Sequence, residues 1–221
     1  AAAAASIAVA PAERANWQAL IARLQARRRI DGQQWPSLVR DVVPFEDALP
    51  WVGPLVRGVA AARASWAQQD PALQAAARRE LAQLTILARA AGGLSEAEHA
   101  RLIVQGAIAG AQYERDEMQL LLDAAHDLEG RLSSGDELRL PVVLAQELEA
   151  DLLRVTDRYA AASERYRDVL VEHPTRVQAR LGLAEAYRRL GYAREAEETR
   201  AQAAALWADA DPEARALLLP P

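Results

Sequence analysis

Few side chains in this chain are equipped for chemistry, and the sharpest spacing among them is Glu96-Ala97-Glu98-His99. On a helix a Glu-x-x-His step turns both side chains to one face, the arrangement helical di-iron sites use to bind metal. Such a site needs two of these steps and two further glutamates. The three histidines, His99, His126 and His173, supply only the one step. A solvated, charged helix face is therefore expected at His99. His126 lies between Asp123 and Asp127, carboxylates that would raise its pKa, and an exposed helix face accounts for the same spacing. His173 precedes Pro174 at a helix end, where a favourable dipole interaction suffices. A helical metal- or cofactor-binding protein or enzyme using His99, His126 and nearby carboxylates stands as the alternative reading, with no metal or cofactor assigned.

Absent residue types narrow the chemistry further. All 26 basic residues are arginine and there is no cysteine. A P-loop lysine, a Schiff-base lysine, a thiolate nucleophile and a cysteine metal site are therefore excluded. No Gly-x-Gly-x-x-Gly, His-Glu-x-x-His or Gly-x-Ser-x-Gly run occurs. The chain is accordingly read as not an enzyme. A net charge of −5 argues against nucleic acid, since the Arg27-Arg28-Arg29 run is too small a basic patch.

The elements that must position these residues are helical throughout, for no alternating strand pattern is present. At 221 residues and 51% hydrophobic content the chain can bury a substantial core. Residues 1–12 form an uncharged apolar tail. It reads as the end of a signal peptide, with Ala8-Val9-Ala10 as a small-x-small site, as the last turns of a membrane anchor, or as a tail without a role. Periplasmic or membrane-anchored placement is favoured slightly over the cytoplasm, with any membrane association running through a missing N-terminus.

Residues 13–131 form an N-terminal helical region. Pro11 opens a first helix with Trp17, Leu20, Ile21 and Leu24 as its apolar stripe. Residues 32–54 interleave prolines with Trp35, Phe45 and Trp51 and are expected to be irregular. These aromatics either pack inward or form a second contact surface. Asp70-Pro71 and Ser95 with Glu98 mark helix starts. Gly92-Gly93 ends the helix between them, and Gly106 and Gly110 interrupt the next. Gly130, Ser133, Ser134 and Gly135 mark a boundary near 131–141, leaving 142–221 as a C-terminal module.

That module carries an echo with a period of 34 residues, between about 143–176 and 177–210. The run from Ala179 to Ala196, with Ala184, Tyr187, Gly191 and Ala196 at its key positions, resembles the tetratricopeptide repeat, as do Ala150, Ala162, Tyr166 and Pro174 in the first copy. Asp157 stands where that family prefers glycine, Glu149 where it prefers leucine, and Leu153 where it prefers an aromatic. The resemblance implies an all-α fold of antiparallel helical hairpins stacked as a right-handed solenoid, closed by a helix from about Asp211 that resembles a cap.

It also implies a concave face lined by the first helix of each pair. In this register the face consists of Leu144, Glu147, Asp151, Arg154 and Val155, then Gln178, Leu181, Glu185, Arg188 and Arg189. The family's grip on a peptide C-terminal carboxylate needs donors where Leu181 and Glu185 stand, so a mixed-charge segment of a partner protein fits better. The functional expectation is a non-catalytic scaffold or adaptor that binds a partner protein and assists complex assembly at a bacterial envelope. A structural subunit of a membrane-associated assembly is a further alternative.

Overall fold

Side-chain caps start two helices where the sequence places them. The Asp70 carboxylate accepts from the Ala72 N–H at 2.8 Å, and Ser95 Oγ accepts from the Glu98 N–H at 3.1 Å. The structure, a computed structural model, describes residues 11–44, 46–92, 95–133 and 141–210. Among these residues 81% are helical and no strand occurs. The helices are α1 (Pro11–Asp31), α2 (Trp35–Leu38), α3 (Val52–Gln68), α4 (Pro71–Ala91), α5 (Glu96–Ala111) and α6 (Arg115–Ser133), followed by α7 (Ala145–Val155), α8 (Tyr159–Glu172), α9 (Val177–Leu190) and α10 (Ala193–Leu206). A short 3-10 turn spans Glu46–Ala48. The apolar tail before Pro11, the tip residues Gly93, Ser134 and Gly135, and the segment from Asp211 lie outside the described residues.

From α2 onward each helix packs on the next. Alternate helices α3, α5, α7 and α9 also touch in turn, forming a row through the molecule. One cluster of buried apolar side chains runs from Ala26 to Leu183, crossing residues 131–141.

Several sequence expectations change once packing is visible. Trp17 and Leu24, expected on the buried stripe of α1, are 60% and 53% exposed. The inward face is Ala22, Ala26 and Ile30 instead. These smaller residues let α1 lie close against α3, with which it packs. Gly106 and Gly110 do not interrupt a helix, because α5 runs through both. A Cβ on Gly106 would come within 2.7 Å of Leu122, and one on Gly110 within 2.8 Å of Leu152. The glycines are there to admit α6 and α7 side chains.

Of the aromatics of residues 32–54, Trp51 packs inward and Trp35 does so in part. Trp51 is buried beneath the Arg23 guanidinium. Trp35 is half-buried against the core, with the Arg63 guanidinium over its ring at 5.5 Å. Phe45 lies outside the described residues.

Within the C-terminal module, α8 and α10 are each 14 residues long and begin at residues 159 and 193. The turn before α8 places Asp157 at φ 60°, and that before α10 places Gly191 at φ 85°. Asp157 thus holds the left-handed conformation glycine favours, which aspartate tolerates better than most residues. Glu149 is buried in an ion pair with Arg165 at 2.9 Å.

Tyr166 of α8 has no exposed surface. Its hydroxyl donates to Asp151 and accepts from Arg154 Nε, both on α7. The ring's other side meets α9 at Gly182, where a Cβ would lie 2.2 Å from Tyr166 Cζ. Substituting Gly182→Ala therefore forces α8 and α9 apart or drives the ring off its hydrogen bonds. The expected result is a loss of roughly 1–3 kcal/mol, seen as a lower urea midpoint. An unchanged midpoint would mean that the two helices do not depend on this close approach.

Candidate functional site

The last turn of α1, the inner face of α7 and the inner face of α9 surround a cleft of about 370 Å³. Asp31 and Gln33 line it from the α1 end, Asp151 and Arg154 from α7, and Arg200 from α10. The α9 wall consists of Gln178, Leu181, Gly182, Glu185 and Arg189. Helical periodicity explains the wall: residues 178, 181, 182, 185 and 189 fall on one face of α9, while Val177, Ala179, Leu183, Ala184 and Ala186 are buried.

Six of the ten residues assigned from sequence to the concave face meet here: Asp151, Arg154, Gln178, Leu181, Glu185 and Arg189. The other four do not. Arg188 lies off the cleft, pairing with Glu185 at 2.6 Å. Leu144 precedes α7 and is 4% exposed. Glu147 is 7% exposed and is tied to Arg176 Nε at 2.8 Å. Glu147 is enclosed where Arg176 ties it to Asp31 at the end of α1. Val155 is half-buried.

The residue behind this closure, Arg176, was missed in the sequence because it lies in a turn and carries no motif. Its guanidinium spans Glu147 of α7 and Asp31 of α1, reaching Asp31 Oδ2 at 2.9 Å. Gln178 adds a bond from its side-chain amide to the Asp31 carbonyl at 3.1 Å. Burial pulls the Arg176 guanidinium down, but Glu147 and Asp31 outweigh it and raise its pKa. Burial pushes the Glu147 carboxyl up to about 7, against the opposing pull of Arg176. The hydroxyl of Tyr166, likewise, is raised by burial and by the facing Asp151.

The histidines converge more than their spacing suggests. His99 is 4% exposed rather than on a solvated face, and its Nε2 donates to Glu129 Oε1 at 2.8 Å. The same oxygen accepts the Ala145 N–H at 2.8 Å. His126 Nδ1 lies 3.5 Å from Glu129 Oε2, and its Nε2 lies 3.6 Å from Glu172. These two carboxylates are its ion-pair partners, while its neighbour Asp127 adds to the raising of its pKa, which Glu129 leads. Burial pushes the Glu129 carboxyl up, but its bonds to His126 and His99 prevail and hold it low. Glu129 thus joins α5 and α6 to the start of α7. Among the described residues no group of three or more His, Asp or Glu side chains is arranged to hold a metal ion, and no helix is long and apolar enough to cross a membrane.

No family model matches this chain, and neither a curated protein nor a solved structure does so. The cleft must be read from its own residues.

Two predictions follow from the buried charges. Removing Arg176 leaves Glu147 and Asp31 facing each other without their cation, so Arg176→Ala should cost about 3–5 kcal/mol near pH 8. The loss should shrink near pH 5, where Glu147 is protonated; urea unfolding at the two pH values checks this.

The wild-type protein should itself be less stable near pH 8 than near pH 5. The folded Glu147 carboxyl keeps its proton up to about 7, above the ordinary 4.5, so the folded state loses ground as pH rises between them. His126, raised above 6.5 chiefly by Glu129, adds stability that is full below 6.5 and lost as pH rises through its folded value. Glu129, held low, adds stability that is present above 4.5 and lost on further acidification. Thermal midpoints across this range should therefore peak near pH 5, with Glu147→Gln flattening the alkaline fall. A midpoint that climbs toward pH 8 would contradict this assignment.

Proposed function

We propose that this protein is a non-catalytic helical scaffold that holds a segment of a partner protein in the cleft between α7, α9 and the end of α1. The observation that carries the reading is the cleft itself, whose α9 wall is one continuous helix face mixing Leu181 with Gln178, Glu185 and Arg189. Its charged groups are largely balanced from within. Asp151 engages Arg154 and Tyr166, and Glu185 engages Arg188 and Arg189. Such a surface suits a segment of mixed charge better than a strongly acidic or basic one.

In this reading α7 with α8 and α9 with α10 act as two tetratricopeptide-like hairpins stacked in a solenoid, and the N-terminal hairpins extend the same row of helices. Complex assembly at a bacterial envelope is the role the reading favours. The specificity would come from the cleft's side chains, since a helical repeat framework by itself sets none.

The test is a photo-crosslinking amino acid placed at Leu181 in the cleft and, as a control, at Val171, which is 82% exposed on α8. In the native cells position 181 should yield one discrete protein adduct that position 171 does not, and Glu185→Arg should reduce that adduct roughly tenfold. Equal labelling from both positions, or none from 181, would remove the cleft as a partner-binding surface.

A further inference from the structure

Arg63 of α3 is 8% exposed, yet no described group accepts a hydrogen bond from it. Its guanidinium lies over the ring of Trp35 at 5.5 Å. A cation–π contact uses none of the guanidinium's five N–H donors. Other buried arginines near the cleft are satisfied: Arg176 by Asp31 and Glu147, Arg154 by Asp151 and Tyr166. A charge this deep is ordinarily paired, because an uncompensated one is costly to bury. Nor are its nitrogens sealed in, for the enclosed side-chain nitrogens without a partner among the described residues are Arg23 Nε and Arg180 Nε.

Arg63 and Trp35 line a small cavity of about 30 Å³. Ile30, Val59, Val143 and Leu148 supply its apolar wall. Asp31, Gln33, Asp151 and Gln178 belong to the walls of both this cavity and the larger cleft, so the first adjoins the second. The carboxylates of the shared wall are held by other groups, Asp31 by Arg176 and Asp151 by Arg154 and Tyr166. The missing component is therefore an anion.

Size and shape narrow that anion. About 30 Å³ holds roughly two water-sized groups, which matches the two oxygens of a carboxylate rather than the larger tetrahedron of a phosphate. A planar carboxylate also fits the guanidinium fork with two parallel hydrogen bonds, while the surrounding Asp31, Glu147 and Asp151 disfavour a doubly charged ligand.

We propose that the cavity over Trp35 is a carboxylate-binding site in which Arg63 receives a monovalent carboxylate entering from the cleft. The carboxylate belongs either to a small organic acid or to an acidic side chain of the segment in the cleft; only the second source rests on the scaffold reading above. Burial pulls the Arg63 guanidinium below its ordinary pKa, with Arg154 adding to the effect and Asp151 opposing it. A bound carboxylate would counter that pull.

The test follows the Trp35 indole N–H by NMR while sodium acetate replaces sodium chloride at constant ionic strength in the full chain. A saturable shift at Trp35, with Trp66 and Trp207 unmoved, is expected. Arg63→Met should abolish it, and Arg63→Lys, which keeps the charge but not the fork, should weaken binding roughly tenfold. Without acetate, Arg63→Met should also raise the thermal midpoint by roughly 2–4 °C, because it removes an unpaired buried charge. An equal response to chloride, no response at Trp35, or a lower midpoint for Arg63→Met would each overturn the proposal.

Crosslinking from Leu181 separates the sources. If acetate suppresses the adduct, the carboxylate is the partner's; if acetate binds and leaves the adduct intact, or no adduct forms, it is a small acid's. An adduct without acetate binding would overturn the carboxylate site and leave the scaffold reading standing.

Discussion

Arg176 joins parts of the chain that lie far apart in sequence. It sits in the turn before α9 and grips Asp31, the last residue of α1, together with Glu147 in the first turn of α7. One planar cation thereby ties the end of α1 to the start of α7 and to the turn before α9. Separating α1 from α7 would leave either a buried arginine or a buried carboxylate without its partner. The position of the α1 end, and hence one wall of the cleft, depends on this interaction.

The opposite wall depends on a steric constraint. Tyr166 is held from α7 by Asp151 and Arg154 and is covered from α9 by Gly182, which has no side chain to keep the helices apart. The same three α7 and α9 residues line the cleft. The groups that set the helix spacing are therefore also groups that a bound segment would meet. Glu129 performs a comparable task further back, joining His99, His126 and the start of α7 around one carboxylate.

Legibility in the sequence followed the range of the interaction. The caps at Asp70 and Ser95 act within three residues, and both were readable. The α9 face was assigned through the register of the tetratricopeptide resemblance, and residues 178, 181, 185 and 189 do share one face of the helix. On α1, Trp17 and Leu24 have the right spacing for a buried face, yet they are 60% and 53% exposed because Ala22, Ala26 and Ile30 face inward instead. Gly106 and Gly110 were misread as breaks because Leu122 and Leu152, which need the space, are distant in sequence.

The sequence by itself determined that the chain is helical, where several helices begin, and which residues of α9 share a face, because backbone hydrogen bonding, capping and periodicity are local. Only the tertiary structure decided that Leu144 and Glu147 are covered, that His99 is buried against Glu129, and that Arg63 stands over Trp35 without an acceptor. Burial and charge pairing depend on which surfaces meet, and that is settled by packing between segments as far apart as Asp31 and Arg176.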